Sequence, residues 1–327
     1  MKHVQLLIAV AGISVFASCQ VNYQKTPSGL TYKIIPGKLD SPKLKPGEYV
    51  KFDIEYSIPE KDTILNSTFG KIPGYSPIDT GARTAYTVME LLPKCSVGDQ
   101  LEFDLSIDTL KNKGAIADYN KTFARGGHIH AKIKILKSFL NEKDIIADYQ
   151  KESEKEKDRE TQAIQDYLTK KGIKAQKTPD GIFAVIQQAG NPAQMADSGK
   201  QVTIMYKGYL LADGKVFDTN LDSSKGHTDP FKFVLGQRSV IPGWEDGLKL
   251  FGKGGKGTLY IPAMLGYGPQ GSPPTIPAYS NLVFDIEVND VTDAPKVPAG
   301  QNQMHLTPEQ MQQLEEEMQR QHQGSGH

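Results

Sequence analysis

The sequence predicts an α+β chain in which one kind of β-rich domain, a sheet folded over a short helix, occurs twice, with a charged helical linker between the copies. Three observations predict this. Short apolar stretches alternate at period two between turn signals. A set of phrases recurs at an offset of 152 residues. Between the recurrences lies a run of charged, helix-forming residues. A chain of 327 residues has room for two such domains.

The chain opens MKHVQLLIAVAGISVFASCQ. Two basic residues lead into an apolar run from Val4 to Phe16, too short for a membrane span, which needs about 20 apolar residues. It reads as an export signal. Phe16-Ala17-Ser18-Cys19 resembles a bacterial lipobox, so residues 1–19 are expected to be a lipoprotein signal peptide with its lipobox cysteine. The resemblance implies that Cys19 is acylated and anchors the chain to a membrane. A plain signal peptide with a coincidental cysteine is the alternative. No acidic residue appears before Asp40, so nothing resembles an inner-membrane retention aspartate. The expected location is the bacterial cell envelope, on the outer membrane and facing the periplasm. The other cysteine, Cys95, then has no intrachain partner and is expected to be a small buried hydrophobe.

The first copy is placed at 20–140. Lys25-Thr26-Pro27-Ser28-Gly29-Leu30 is echoed by Lys177-Thr178-Pro179-Asp180-Gly181-Ile182, Gly47 by Gly199 and Val50 by Val202. An offset this long is a duplicated domain, not a solenoid period. Val50/Phe52/Ile54, Leu101/Phe103/Leu105 and Ile129/Ala131/Ile133/Ile135 alternate as strands. The linker is placed at 141–174. KESEKEKDRE contains no apolar residue and cannot pack deeply, so an exposed helix is expected, docked by Ile145, Ile146 and Tyr149 at one end and Ile164, Tyr167 and Leu168 at the other. A flexible charged tether is the alternative.

The second copy, 175–292, carries the chemistry. Val202, Ile204 and Tyr206 alternate along its opening strand. Ala212-Asp213-Gly214-Lys215 is a turn, and Val216-Phe217 resumes the strand. Phe231, Phe233 and Leu235 form a further strand face. Pro242-Gly243 introduces a short helix at Trp244, the single tryptophan. Phe284, Ile286 and Val288 share one face of the last strand. Tyr206, Phe217, Phe231, Val240, Ile241, Trp244, Tyr267, Ile276 and Phe284 are thus able to converge on one cavity. An ordinary core is the plainer account of any one of these aromatics.

The ordered phrases YKGYL, G-K-x-F-D, F-x-LG, VIPGWE, IP-x-x-x-GYG and LVFD-x-E, spread over about 110 residues, resemble the FKBP-type peptidyl-prolyl cis/trans isomerases. The resemblance implies catalysis of proline isomerisation by an apolar aromatic pocket, with no nucleophile, metal or cofactor. It implies Trp244 as the pocket floor, with Tyr206, Phe217, Phe231, Val240, Ile241, Ile276 and Phe284 around it. It further implies that each copy is a curved antiparallel β-sheet wrapped on a short helix, that Asp218 presents a polar edge, and that the Tyr267 hydroxyl and the Ile241 N–H hold substrate carbonyls. The implied partners are proline-containing unfolded or exported polypeptides and macrolide ligands. A non-enzymatic periplasmic chaperone or scaffold that holds proline-containing segments is the competing class.

At the same offset the first copy has Ile54 for Tyr206, Leu65 for Phe217 and Asn66 for Asp218; a small shift puts Val88 at Trp244 and Ala131 at Phe284. It is expected to fold without catalysing, and to serve as a membrane spacer, a dimerisation surface or a client-holding module. With 38 basic and 38 acidic residues, nothing argues for nucleic acid. Gly252-Lys253-Gly254-Gly255-Lys256-Gly257 fits a dinucleotide fingerprint, but a strand follows it where a helix is needed. His128 and His130 share a strand face without further identifiable metal ligands, and His227 is expected in solvent. Residues 293–327 read as a linker and a helical tail that starts at Thr307.

Overall fold

The computed structural model describes residues 22–37, 41–79, 81 and 85–295. The leader, the lipobox cysteine and the C-terminal helical tail all lie outside the described residues. The chain divides into two compact units, with the boundary between Glu156 and Lys157. The fold class is α+β.

In the first unit the strands are β1 (Gln24–Lys25), β2 (Thr31–Ile35), β3 (Tyr49–Ile58), β4 (Thr63–Ser67), β5 (Gly74–Pro77), β6 (Gln100–Ser106) and β7 (His128–Phe139). They form one antiparallel sheet in the order β1-β2-β6-β7-β3-β4, with β5 also paired to β3. A short helix, α1 (Ile107–Asn112), follows β6, capped by the Ser106 hydroxyl, which accepts from the Thr109 N–H at 3.3 Å. The alternation read from the sequence puts Leu101, Phe103, Ala131, Ile133 and Ile135 in the core. Cys95 is buried there as a free thiol. Burial first, then the Asp99 carboxylate, pushes that thiol up to about 12, so it is inert at neutral pH.

A single helix, α2, covers Glu142–Lys171. The Asn141 side chain accepts from the Asp144 N–H at 3.0 Å, and Gly172 takes a left-handed φ of 68° just beyond the end. Acidic residues in the first turn and lysines in the last complement the helix dipole. Near its start, Asp148 accepts from Lys51 Nζ at 2.6 Å and from the Tyr75 hydroxyl at 2.7 Å, while Glu152 accepts from Lys51 at 3.0 Å. Tyr149 meets Tyr75 edge-on, but Ile146 stays half exposed. Near its end, Ile164 and Leu168 bury against Phe183, Tyr260 and Val283 of the second unit, to which this half of the helix belongs.

The second unit contains β8 (Gln176–Lys177), β9 (Phe183–Gln188), β10 (Lys200–Leu210), β11 (Val216–Thr219), β12 (Phe231–Val234), α3 (Pro242–Gly247), β13 (Lys256–Ile261) and β14 (Leu282–Asp293). Its sheet runs β8-β9-β13-β14-β10-β11, with β12 also on β10. Strand for strand, this is the connectivity of the first unit. The registers agree too: the β3/β7 pairing breaks between Lys51 and Phe52, and the β10/β14 pairing breaks at the corresponding place, between Thr203 and Ile204. The glycine-rich run at 252–257 leads into β13, a strand.

Candidate functional site: an aromatic cleft in the second unit

Strand β10 is the spine of the site. Its alternation turns Val202, Ile204, Tyr206, Gly208 and Leu210 to the core. On one side β14 adds Phe284, Ile286 and Val288 to the same face. On the other, β11 and β12 bring Phe217, Asp218 and Phe231. The chain then turns through 236–241 into α3. Proline at the first helical position suits this start, because its missing N–H has no partner there anyway. The Glu245 carboxylate ties the turn down by accepting from the backbone N–H of Gly236 at 2.6 Å and of Arg238 at 3.0 Å.

These elements enclose a cleft of about 410 Å³ lined by Tyr206, Phe217, Asp218, Phe231, Arg238, Ser239, Val240, Ile241, Trp244, Tyr267 and Phe284. Trp244, 5% exposed, is the hub of the aromatic packing. Tyr206 and Phe284 meet it edge-on with centroids at 5.1 Å, and Phe231 lies at 6.1 Å. Phe217 meets Phe284 edge-on at 5.5 Å. Such T-shaped contacts suit the ring quadrupoles. The Ile241 N–H, at the N-cap of α3, has no acceptor among the described residues.

Asp218 is the acidic edge of the cleft. Its Oδ2 accepts from the Tyr206 hydroxyl at 2.5 Å, and its Oδ1 lies 2.9 Å from His227 Nε2. Burial pushes this carboxyl up, but the Tyr206 and His227 bonds outweigh burial and hold it below the ordinary aspartate value. It is therefore ionised at neutral pH. Burial, then the bond to Asp218, push the Tyr206 phenol up, and burial, then the Asp218 charge, push that of Tyr267 up, so both stay protonated at neutral pH.

Of the residues expected at the site, Asp218, Tyr267, Trp244, Phe284, Tyr206, Phe217, Phe231, Val240 and Ile241 all line the cleft. Ile276 does not. A tight turn, in which Ser272 and Ile276 exchange backbone hydrogen bonds at 2.8 and 3.0 Å, folds it into the core at 3% exposure. His227, expected in solvent, is half exposed but bound to Asp218. Arg238 and Ser239 line the cleft without any apolar periodicity to announce them. His130 hydrogen-bonds Asp104 at 2.8 Å, and no cluster of potential metal ligands occurs among the described residues.

The first unit is built differently at the matching positions. Ile54 pairs with Ile133 as Tyr206 pairs with Ile286. Thr68 Oγ1 accepts from the Ile54 N–H at 2.9 Å, as Asn220 Oδ1 accepts from the Tyr206 N–H at 2.6 Å. Opposite Gly208 stand Phe284 and Asp218; opposite Tyr56 stand Ala131 and Asn66. An aromatic ring has thus changed strands. Tyr56 and Leu65 pack against a buried cluster of Ile58, Ile107 and Ile129, as do Leu110, Ile116, Tyr119 and Phe123. The 152-residue offset relates Tyr56 to Gly208 directly and was the signal available for this exchange.

Residues 193–289 match the family model of the FKBP-type peptidyl-prolyl cis-trans isomerases. Peptidyl-prolyl cis-trans isomerase FKBP15-2 of Arabidopsis thaliana is 46% identical over 100 residues, which is 31% of this chain and 58% of that protein. FKBP-type peptidyl-prolyl cis-trans isomerase FkpA of Escherichia coli strain K12 is 43% identical over 133 residues, 41% of this chain and 45% of that protein. The chain therefore spans about half the length of these curated relatives. The crystal structure of FkpA from Escherichia coli is similar at 35% identity over 47% of this chain and 69% of that chain, with a TM-score of 0.36.

Proposed function

We propose that the FKBP-type domain in the second unit is a working peptidyl-prolyl cis/trans isomerase whose site is the aromatic cleft. One observation carries this reading. Tyr206, Phe217, Asp218, Trp244, Tyr267 and Phe284 come from separate elements and converge on one cleft inside the region of family similarity.

The chemistry follows from the barrier. Rotating a prolyl amide costs about 20 kcal/mol, because amide resonance is lost at the twisted geometry. Losing resonance also reduces the charge separation across the C–N bond. A dry aromatic cleft therefore penalises the twisted amide less than the planar one, which is preferential binding of the transition state. Trp244 forms the floor under the proline ring, with Tyr206, Phe217 and Phe284 as walls. The Tyr267 hydroxyl and the Ile241 N–H hold substrate carbonyls. Asp218, ionised and bound by two donors, anchors Tyr206 and holds the polar edge of the cleft in place.

The test is proline-limited refolding and X-Pro peptide exchange with the full chain. The wild type accelerates both and binds a macrolide such as rapamycin. Asp218→Val combined with Phe284→Ala is expected to lower turnover at least tenfold, because it removes the acidic edge and one wall. Full activity in that double variant would refute the site. Peptide binding without any acceleration would mean a holding module and not an enzyme.

The sequence supports a location as well. The run Val4–Phe16 and the lipobox-like Phe16–Cys19 support export and a lipid anchor at Cys19, with exported proline-containing polypeptides as clients. In a bacterial host, Cys19→Ser is expected to move the protein to the soluble fraction or to leave its precursor uncleaved. Normal cleavage with unchanged membrane fractionation would remove the anchor from the proposal.

A further inference from the structure

Of the described residues lining the cleft, Asp218 and Arg238 alone carry formal charge. The two are not equivalent. Asp218 already has two partners, the Tyr206 hydroxyl and His227. Arg238 is exposed, and its guanidinium has neither hydrogen bond nor ion pair among the described residues. The Glu245 carboxylate is engaged by two backbone N–H groups, one of them that of Arg238 itself. On the rim that carries Tyr267, the whole segment 261–284 contains no Asp, Glu, Lys, Arg or His. Nothing on that side offers Arg238 a counter-charge.

The backbone adds a second observation. Arg238 has φ 55°, in the left-handed region that disfavours residues with a side chain. Glycine or asparagine would suit this turn better, yet a long cation sits there at the mouth of an apolar cleft. Strained positions of this kind cluster where a side chain is used. The Glu245 bond fixes the base of the side chain, so aiming the guanidinium at a ligand costs less ordering than from a loose loop.

We propose that Arg238 makes the cleft selective for proline segments that carry a carboxylate within a few residues of the proline. This rests on reading the cleft as a proline-binding site and names the substrate class that site favours. The guanidinium pairs with the acidic side chain at the rim while the proline ring occupies the apolar floor. A lysine at the same place in the substrate meets a like charge and is disfavoured.

The experiment compares three peptide sets, with alanine, glutamate or lysine at the positions flanking one proline, against the full chain at low salt. Two readouts are taken: exchange rate, and binding followed by the fluorescence of Trp244, the only tryptophan. The wild type is expected to favour glutamate over lysine by roughly two- to fivefold, the range of an exposed ion pair, and the preference should shrink as salt rises. Within each variant the glutamate-to-lysine ratio is the quantity compared. It should be kept in Arg238→Lys, fall to about one or below in Arg238→Gln, where the ionised Asp218 is the remaining charge, and invert in Arg238→Glu. A wild-type ratio of one, or a ratio that survives Arg238→Gln, overturns the proposal. Because binding is read separately, absence of turnover with a preserved binding preference would count against the isomerase reading and leave the selectivity standing.

Discussion

Trp244→Ala is expected to destabilise the second unit by roughly 3–5 kcal/mol and to remove both turnover and ligand binding. The indole is 5% exposed, and its Nε1 has no acceptor among the described residues, so what is lost is apolar contact rather than a hydrogen bond. Tyr206, Phe231, Phe233 and Phe284 all lean on it, with centroids between 5.1 and 6.1 Å. Each such aromatic pair adds about 0.5–1.5 kcal/mol beyond buried area, so one deletion loosens four neighbours at once. Calorimetry on the full chain should resolve a transition of the second unit at a lower temperature, with that of the first unit unmoved. Trp244→Phe separates the two effects. It keeps most of the packing and should restore most of the melting temperature, but a smaller floor should still weaken binding. An unshifted melt in the alanine variant would mean that the ring is not the hub of this core.

What could be read in the sequence depended on periodicity. Period-two alternation places Val202, Ile204, Tyr206, Phe284, Ile286 and Val288 on one buried face, because strand geometry leaves a side chain only two directions. The exceptions are residues held by loops. Ile276 had the right type, but the Ser272–Ile276 turn sends it into the core. His227 sits nine residues beyond Asp218 in an irregular segment, and nothing in its neighbours signals that the chain bends back to bring them to 2.9 Å. Arg238 carries no such signal, because a polar residue in a glycine-led turn looks like ordinary solvent-facing loop. Loop geometry is set by specific hydrogen bonds, such as those of Glu245, and those pair residues without any repeating pattern.

The first unit raises a different question: how a sheet of the same connectivity keeps its core without the aromatic set that lines the cleft. Where both strands carry compatible residues, the sheet tolerates the change because total volume is conserved. Gly208 opposite Phe284 becomes Tyr56 opposite Ala131, a large residue moved across one rung of the ladder. Leu65, in place of Phe217, packs against the same Ile58, Ile107 and Ile129 cluster as Tyr56. The exchange fills the space from the β3 side.

That account predicts a strong coupling when the exchange is imposed on the second unit. A Cβ at Gly208 would lie 2.6 Å from Phe217 Cε2 and 2.7 Å from Phe284 Cε1, closer than side chains tolerate. Gly208→Tyr alone is therefore expected to cost about 1–3 kcal/mol, the usual overpacking range, because both rings must shift to admit the new side chain. Phe284→Ala alone is expected to cost about 3–5 kcal/mol through the cavity it leaves. Together they should cost less than the sum by roughly 1–3 kcal/mol, since the tyrosine enters the volume the phenylalanine vacates. Adding Phe217→Leu, the residue type found at Leu65, relieves the remaining clash and should recover more. Denaturant melts of the full chain measure each step. The triple variant should stay folded and still lack prolyl isomerase activity, because its ring fills the cleft where Phe284 had formed a wall. Strictly additive costs would mean that the two positions do not share a volume, and that the difference between the two units at this rung is not a volume exchange.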